Sequence, residues 1–380
     1  MTTFETYLID FRHELHQHPE ISKQEFETTR RIREQLIAHN IDILPLSMPT
    51  GIIAEIKGDL PGPVIALRGD IDALPIEEES NISFRSLNKG AMHACGHDLH
   101  TTVLLGAAIR LSQLKDKIKG TIRFIFQPGE EIAYGAAEML KTHLLDDVSA
   151  IFGWHNDPEL PIGTVASAHG PVTASVDAFD IKITGKGSHA AKPNEGNDPF
   201  IIAAQVLTAF QTIISRYLPS QTNAVVSITQ MHGGNNRNVI PETVSLSGTV
   251  RAFDPAIVET IKKRMSQILA GLAVTNDAKI DLEWVEEFSP ATNNNPELTD
   301  FATLVASESG FSTTSMSPLS IGEDFANFQL QIPGAFIFIG SGGPYALHHP
   351  KFEADDKILL PIVNYFTSLA LQAPNFIANK

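Results

Sequence analysis

Residues 92–100 read Met92-His93-Ala94-Cys95-Gly96-His97-Asp98-Leu99-His100, placing three histidines, an aspartate and the only cysteine of the chain in nine positions. An apolar run at helical spacing, Val103 to Leu114, follows at once. Packing a core does not ask for this composition. A thiolate and an imidazole two residues apart can converge on one ion if the backbone between them is extended, and such donors suit zinc and related transition metals. The plainer alternative is a buried cysteine beside surface histidines opening a helix. The rest of the chain weighs against it.

Four other stretches share one arrangement. Val64 to Leu67 leads into Arg68-Gly69-Asp70-Ile71-Asp72, and Thr121 to Phe126 into Gln127-Pro128-Gly129-Glu130-Glu131. Ser149 to Trp154 leads into His155-Asn156-Asp157-Pro158, and Ala335 to Ile339, through a glycine-rich turn, reaches His348-His349-Pro350. Short apolar runs bounded by turn residues predict buried strands, here alternating with helical segments. Each run carries metal-capable side chains at or just past its carboxyl end, the edge where ligand sites gather in open α/β sheets. The pattern predicts an α/β fold, a mixed and largely parallel sheet flanked by helices, with one composite site.

Elsewhere the chain reads as scaffold. Thr3 to Asn40 predicts two helices interrupted at His18-Pro19-Glu20. From Ser175 the rhythm changes to strand (175–184), helix (199–217), strands (224–231 and 244–251), helix (255–274) and strand (279–285). That β-α-β-β-α-β order predicts a ferredoxin-like α+β unit. Residues 175–286 are therefore read as a domain inserted between two parts of a catalytic domain, 1–174 and 287–380. Two cores also suit a length of 380 residues.

Composition narrows the function. A net charge of −16 and a pI near 5.3 oppose a nucleic-acid or anionic-membrane partner. Met1 to Glu20 is charged throughout, no later run approaches the roughly 18 apolar residues of a membrane span, and one cysteine makes no internal disulfide, so a cytoplasmic protein is expected.

Glu130 and Glu131 follow a buried strand and a proline-glycine turn. Adjacent side chains diverge, so one can bind a metal while the other stays free as a general base; the alternative is a charge pair at the start of a helix near Ile132. Asp70 and Asp72, two apart, can share a face and orient a ligand or the base. Cys95, His97, Glu131, His155 and His348 exceed what one tetrahedral zinc needs, and two metals sharing a ligand use the surplus. A deaminase zinc site needs a cysteine pair, and no Gly-x-Ser-x-Gly elbow supports a serine hydrolase.

Met92–Asp98, Phe126-Gln-Pro-Gly-Glu-Glu131, Gly153-Trp-His-Asn156, Gly185-Lys-Gly-Ser-His-Ala190, Asn238-Val-Ile-Pro-Glu242, Gly322-Glu-Asp-Phe325 and His348-His-Pro350 together resemble the M20 metallopeptidases. The similarity spans nearly the whole chain and is greatest to the amidohydrolases of N-acyl amino acids, such as hippurate and N-acetyl-diaminopimelate. The resemblance implies a metallo-exopeptidase-like catalytic domain holding two divalent ions (Zn, Mn, Co or Ni), with Cys95 bridging and His97, Glu131, His155 and His348 as further ligands. It implies Glu130 as base, prefers His348 over His349 from the His-x-Pro pattern, and makes the inserted domain a lid and homodimerisation module. His189, Asn238 and Arg251 then face the substrate, with His189 reaching a partner's site. Gly129 and Ser188 depart from the alanine and glycine common at those places in the family. The expected reaction is amide hydrolysis of an N-acyl amino acid; the rivals are a dipeptidase or carboxypeptidase on the same site, and a non-catalytic metal- or ligand-binding relative.

Overall fold

The computed structural model describes residues 2–285 and 289–378, in two compact units. One comprises Met1–Val172, Thr292–Pro318 and Asp324–Lys380, and the other Thr173–Ala291 and Leu319–Glu323. The expected boundary after residue 286 lies outside the described residues.

The first unit is built on an eight-stranded sheet. Its order is Asp42–Ile43, Ile52–Lys57, Lys119–Gln127, Leu60–Asp70, Val148–Asp157, Gly334–Gly340, Thr164–Ser167 and Ser312–Ser315. The third to sixth of these run parallel, while Ile52–Lys57 and Thr164–Ser167 meet that block antiparallel. The sheet is thus mixed and largely parallel, as expected. Ile52–Lys57 and Leu60–Asp70 are consecutive but do not pair; Lys119–Gln127 lies between them. Every residue from Ile65 to Asp70, from Ile122 to Gln127 and from Gly334 to Gly340 is buried. Strands covered on both faces read as continuous apolar runs, so Arg68, Asp70 and Gln127 at their ends must find partners inside.

Helix His97–Ser112 is buried along nearly its whole length and packs against Leu60–Asp70 and helix Leu359–Ala378. It starts at His97, earlier than the apolar run from Val103 suggests. Gly96, in the left-handed region at φ +89°, forms its N-cap. The segment carrying Cys95 and His97 is therefore not extended: a left-handed turn, not a strand, brings the two side chains together. A Cβ on Gly96 would also lie 2.2 Å from Asn156 Oδ1, so this position requires glycine on two counts.

In the second unit the order Ala224–Gly233, Thr243–Ala252, Asp177–Thr184, Lys279–Trp284 forms an antiparallel sheet, the ferredoxin-like arrangement. Alternate residues of Asp177–Thr184 and Thr243–Ala252 are buried under helices Pro199–Thr212 and Pro255–Thr275. Each helix opens on an aspartate cap, Asp198 or Asp254, followed by proline. One sequence expectation is corrected here: Pro199–Tyr217 is long and apolar enough to cross a membrane by length and composition. Its Ile202, Val206, Phe210 and Ile213 lie in the core of this unit.

Candidate metal centre

Five donors converge at the carboxyl edge of the large sheet. Cys95 Sγ lies 3.3 Å from His155 Nε2 and 3.3 Å from His348 Nε2. His348 Nε2 is 3.5 Å from Glu131 Oε1, and His97 Nε2 is 3.9 Å from the same oxygen. Two metal-sized groups share Cys95: one is Cys95, His97 and His155, the other Cys95, Glu131 and His348. Glu130 Oε2 stands 4.0 Å from His97 Nε2, beside both. Glu130 and Glu131 open a single 3-10 turn, Glu130–Ile132, so they do stand at a helix start near Ile132, but one of three residues, and the next helix begins only at Gly135.

The rings are held in the tautomer a ligand needs. His97 Nδ1 donates to Asp72 Oδ1 at 3.1 Å, and His155 Nδ1 to the Asn156 carbonyl at 2.7 Å, leaving each Nε2 turned to the centre. Asp72 Oδ2 accepts from Ser22 Oγ at 2.7 Å and from the Glu131 amide at 3.1 Å, which fixes the carboxylate itself. Asp70 has another duty: it accepts from His100 Nδ1 at 2.5 Å and from Arg68 Nη1 at 2.7 Å, and lies 3.7 Å from His97 Nε2. His348 stands on an exposed loop with φ +63°, its amide bound to the Ala94 carbonyl at 2.8 Å. His349 is stacked on Tyr345 instead.

These side chains fit a cation. His97 Nε2 and Glu131 Oε1 are buried atoms without a hydrogen-bond partner among the described residues, and both point at Cys95. Orphaned buried polar atoms are costly, and two of them facing one thiol are what a metal satisfies. The charges agree. Burial, then the nearby Asp72 and Asp70 carboxylates, pushes Glu131 up to about 7, against the pull of His97. Burial, then Glu131, pushes the Cys95 thiol well above its ordinary value. Burial opposes a proton on His97, yet Asp70, Cys95 and the Asp72 hydrogen bond outweigh it and raise His97 well above the usual histidine range. The cluster is short of positive charge, and bound metal supplies it while releasing the thiol proton. His155 and His348 are both shifted downward, first by burial, and so are neutral donors.

The inserted unit carries the other expected residues. His189 is exposed, in Ser188–His189 paired with Val239–Ile240. Its Nδ1 accepts from the Ala191 amide at 3.0 Å, so the proton sits on Nε2, which can donate. Asn238 is exposed, and its carbonyl receives the Ala190 amide at 2.9 Å. Arg251 is half-buried, with Nη1 lacking a partner among the described residues.

Sequence reading missed a second layer. Arg68 donates to Gln127, Asp70 and Asp324, and Gln127 Nε2 donates to both Asp324 oxygens. His100 links Asp70 to the backbone amide of Asn156. An arginine inside the run Ile65 to Asp70 was the available signal, since a buried guanidinium demands carboxylates. The N-terminal helices are also more than scaffold: Arg12 and His16 both reach Asp98, at 3.0 Å each.

A sheet edge that gathers thiol, imidazole and carboxylate donors beside a second carboxylate, Glu130, whose Oε1 accepts from the Asp324 amide at 3.4 Å, defines a metal-dependent hydrolase. The chain belongs to the peptidase family M20/M25/M40, whose pattern matches residues 66–372. It is 45% identical over 369 residues to an N-acetylcysteine deacetylase of Bacillus subtilis, covering 97% of each chain. It is 36% identical to thermostable carboxypeptidase 2 of Saccharolobus solfataricus, covering 93% of this chain and 92% of that one. Among solved structures it resembles the Bacillus subtilis YXEP protein, a dinuclear metal-binding peptidase of the M20 family, with TM-score 0.88, 42% identity and 98% of both chains covered.

Proposed function

We propose that this protein is a metal-dependent amidohydrolase that cleaves N-acyl amino acids to a carboxylate and a free amino acid. The observation that carries the reading is the pair of orphaned buried atoms, His97 Nε2 and Glu131 Oε1, facing one thiol beside a further carboxylate. The similarity to an N-acetylcysteine deacetylase supports the substrate class. Cys95, His97 and His155 would hold one divalent ion (Zn, Mn, Co or Ni), and Cys95, Glu131 and His348 a second. Bound there, such ions would supply Lewis acidity for the scissile carbonyl and lower the pKa of water.

The remaining work falls to the chain's own side chains. Glu130 takes a proton from the attacking water and returns it to the leaving amine. Asp72 keeps the His97 ring aligned, and Asp70, braced by Arg68 and His100, supplies negative charge behind it. Arg251, whose Nη1 has no partner among the described residues, grips the free carboxylate of the substrate, assisted by Asn238. His189, protonated at Nε2, donates to the substrate oxygen as charge develops there, and does so from the second copy of a homodimer. Residues 175–286 serve as lid and dimerisation module. The one free thiol, committed to metal, suits a reducing cytoplasm.

The similarity to a carboxypeptidase favours a second reading, peptide hydrolysis on the same residues. Turnover of N-acetyl amino acids against matched dipeptides separates the two. The acetylated substrates should be hydrolysed faster, and preferential dipeptide cleavage reverses the reading.

A further inference from the structure

We infer that Glu25 is a positioning residue for Glu130, holding the backbone turn that aims the base; this rests on Glu130 being the base, as proposed above. Glu25 immediately precedes helix Phe26–Ala38 and is fully buried, yet its side chain makes no cap to that helix. Glu20 does the capping: its two oxygens accept from the Glu27 and Thr28 amides at 3.1 and 2.8 Å. Glu25 points elsewhere, and its Oε1 accepts from the Gly129 amide at 2.9 Å.

That amide is the first donor the chain offers after the strand ends, because Pro128 has none. Gly129 is left-handed at φ +62° and leads directly into Glu130–Ile132. Its carbonyl is fixed by the Tyr134 amide at 3.0 Å. Two residues on, the Glu131 amide goes to Asp72 at 3.1 Å. Glu130 therefore hangs from a turn gripped on one side by Glu25 and on the other by Asp72. The segment that carries Glu25 also carries Ser22, which bonds Asp72. A single stretch between the two N-terminal helices thus braces both ends of the turn. Misplacing a proton acceptor by about 1 Å is enough to slow a reaction by about a hundredfold.

Two variants test the role. Glu25→Gln keeps the length and an acceptor oxygen but drops the charge; Glu25→Asp keeps the charge but withdraws the acceptor by one methylene. Positioning through the hydrogen bond predicts kcat within about twofold of wild type for Glu25→Gln. It predicts a fall of about tenfold or more for Glu25→Asp, with KM and bound metal unchanged. The reverse order means that Glu25 acts through its charge. Equal kcat in both, per folded and metal-loaded molecule, means that it only stabilises the fold. Either result overturns the inference. Glu130→Gln runs beside them: if that variant stays active, the assignment of the base has failed, and if it is inactive while Glu25→Asp is normal, only the role of Glu25 has failed.

Discussion

The two units place their charged groups differently. In the first, Arg68, Asp70, Asp72, His97, His100 and Asp324 are buried and bonded to one another, or aimed at the metal-capable cluster. In the second, the core between sheet and helices is apolar, and the residues expected to meet substrate, His189 and Asn238, stand on the surface. Burying charges costs several kcal/mol per ion unless partners repay it, and replacing such pairs with apolar residues is often neutral or stabilising. The second unit buries Asp177, paired with Lys262 at 2.6 Å, but the interlocked network of Arg68, Asp70, Gln127 and Asp324 belongs to the first, and it marks where the chemistry is held. The other unit has a self-sufficient core and can present its polar side chains from loops.

The contrast places the largest loss in the first unit. Glu130→Gln should lower kcat by roughly 10²–10⁴-fold while metal stays bound, because it removes a proton acceptor and no ligand. Kinetics beside metal analysis checks this, and loss of metal with activity would instead make Glu130 a ligand. Next comes His189. Glu130→Gln and His189→Ala should each be nearly inactive as homodimers, while a co-expressed heterodimer should recover partial activity, because one site then joins an intact Glu130 to the partner's intact histidine. A verified heterodimer that stays inactive removes His189 from the partner's site.

A smaller effect is expected at Arg251. Arg251→Ala should raise KM by about tenfold or more, the worth of a hydrogen bond to a charged group. Amidating the substrate carboxylate should do the same, and the two losses should not add. Additive losses would place the carboxylate elsewhere.

The smallest effect concerns stability. Burial resists a proton on His16, but Asp98 outweighs it and raises His16 to about 9. Because this lies above the unfolded value near 6.5, its stabilising contribution is complete below about pH 6.5 and is lost as pH rises through about 9. His16→Gln should flatten that part of the melting-temperature profile. An unchanged slope would show that the His16–Asp98 pair contributes nothing there.

The expected donors were legible because donor residues stood at the ends of apolar runs, and strand topology brings such ends together. His155 and His348 lie 60 and 253 residues from Cys95, yet both follow strands and both come within 3.3 Å of its sulfur. The bracing layer was not legible in the same way. Arg68 meets Asp324 across 256 residues, and Glu25 meets Gly129 across 104; an arginine in an apolar run signals a buried carboxylate without saying which one, and nothing local marks Glu25. The turn at Gly96 was not legible for a different reason: two donors flanking one glycine suit an extended strand or a left-handed helix cap equally well, and the structure has the cap.

The most direct test of the whole account is to strip metal from the purified protein, return a divalent ion stepwise, and follow N-acetyl amino acid turnover together with reaction of Cys95 with a thiol reagent. The expected result is no turnover and a reactive thiol without metal, then activity and thiol protection that rise together and level off near two ions per chain. Turnover that survives metal removal, or a Cys95 equally reactive with and without metal, would contradict it.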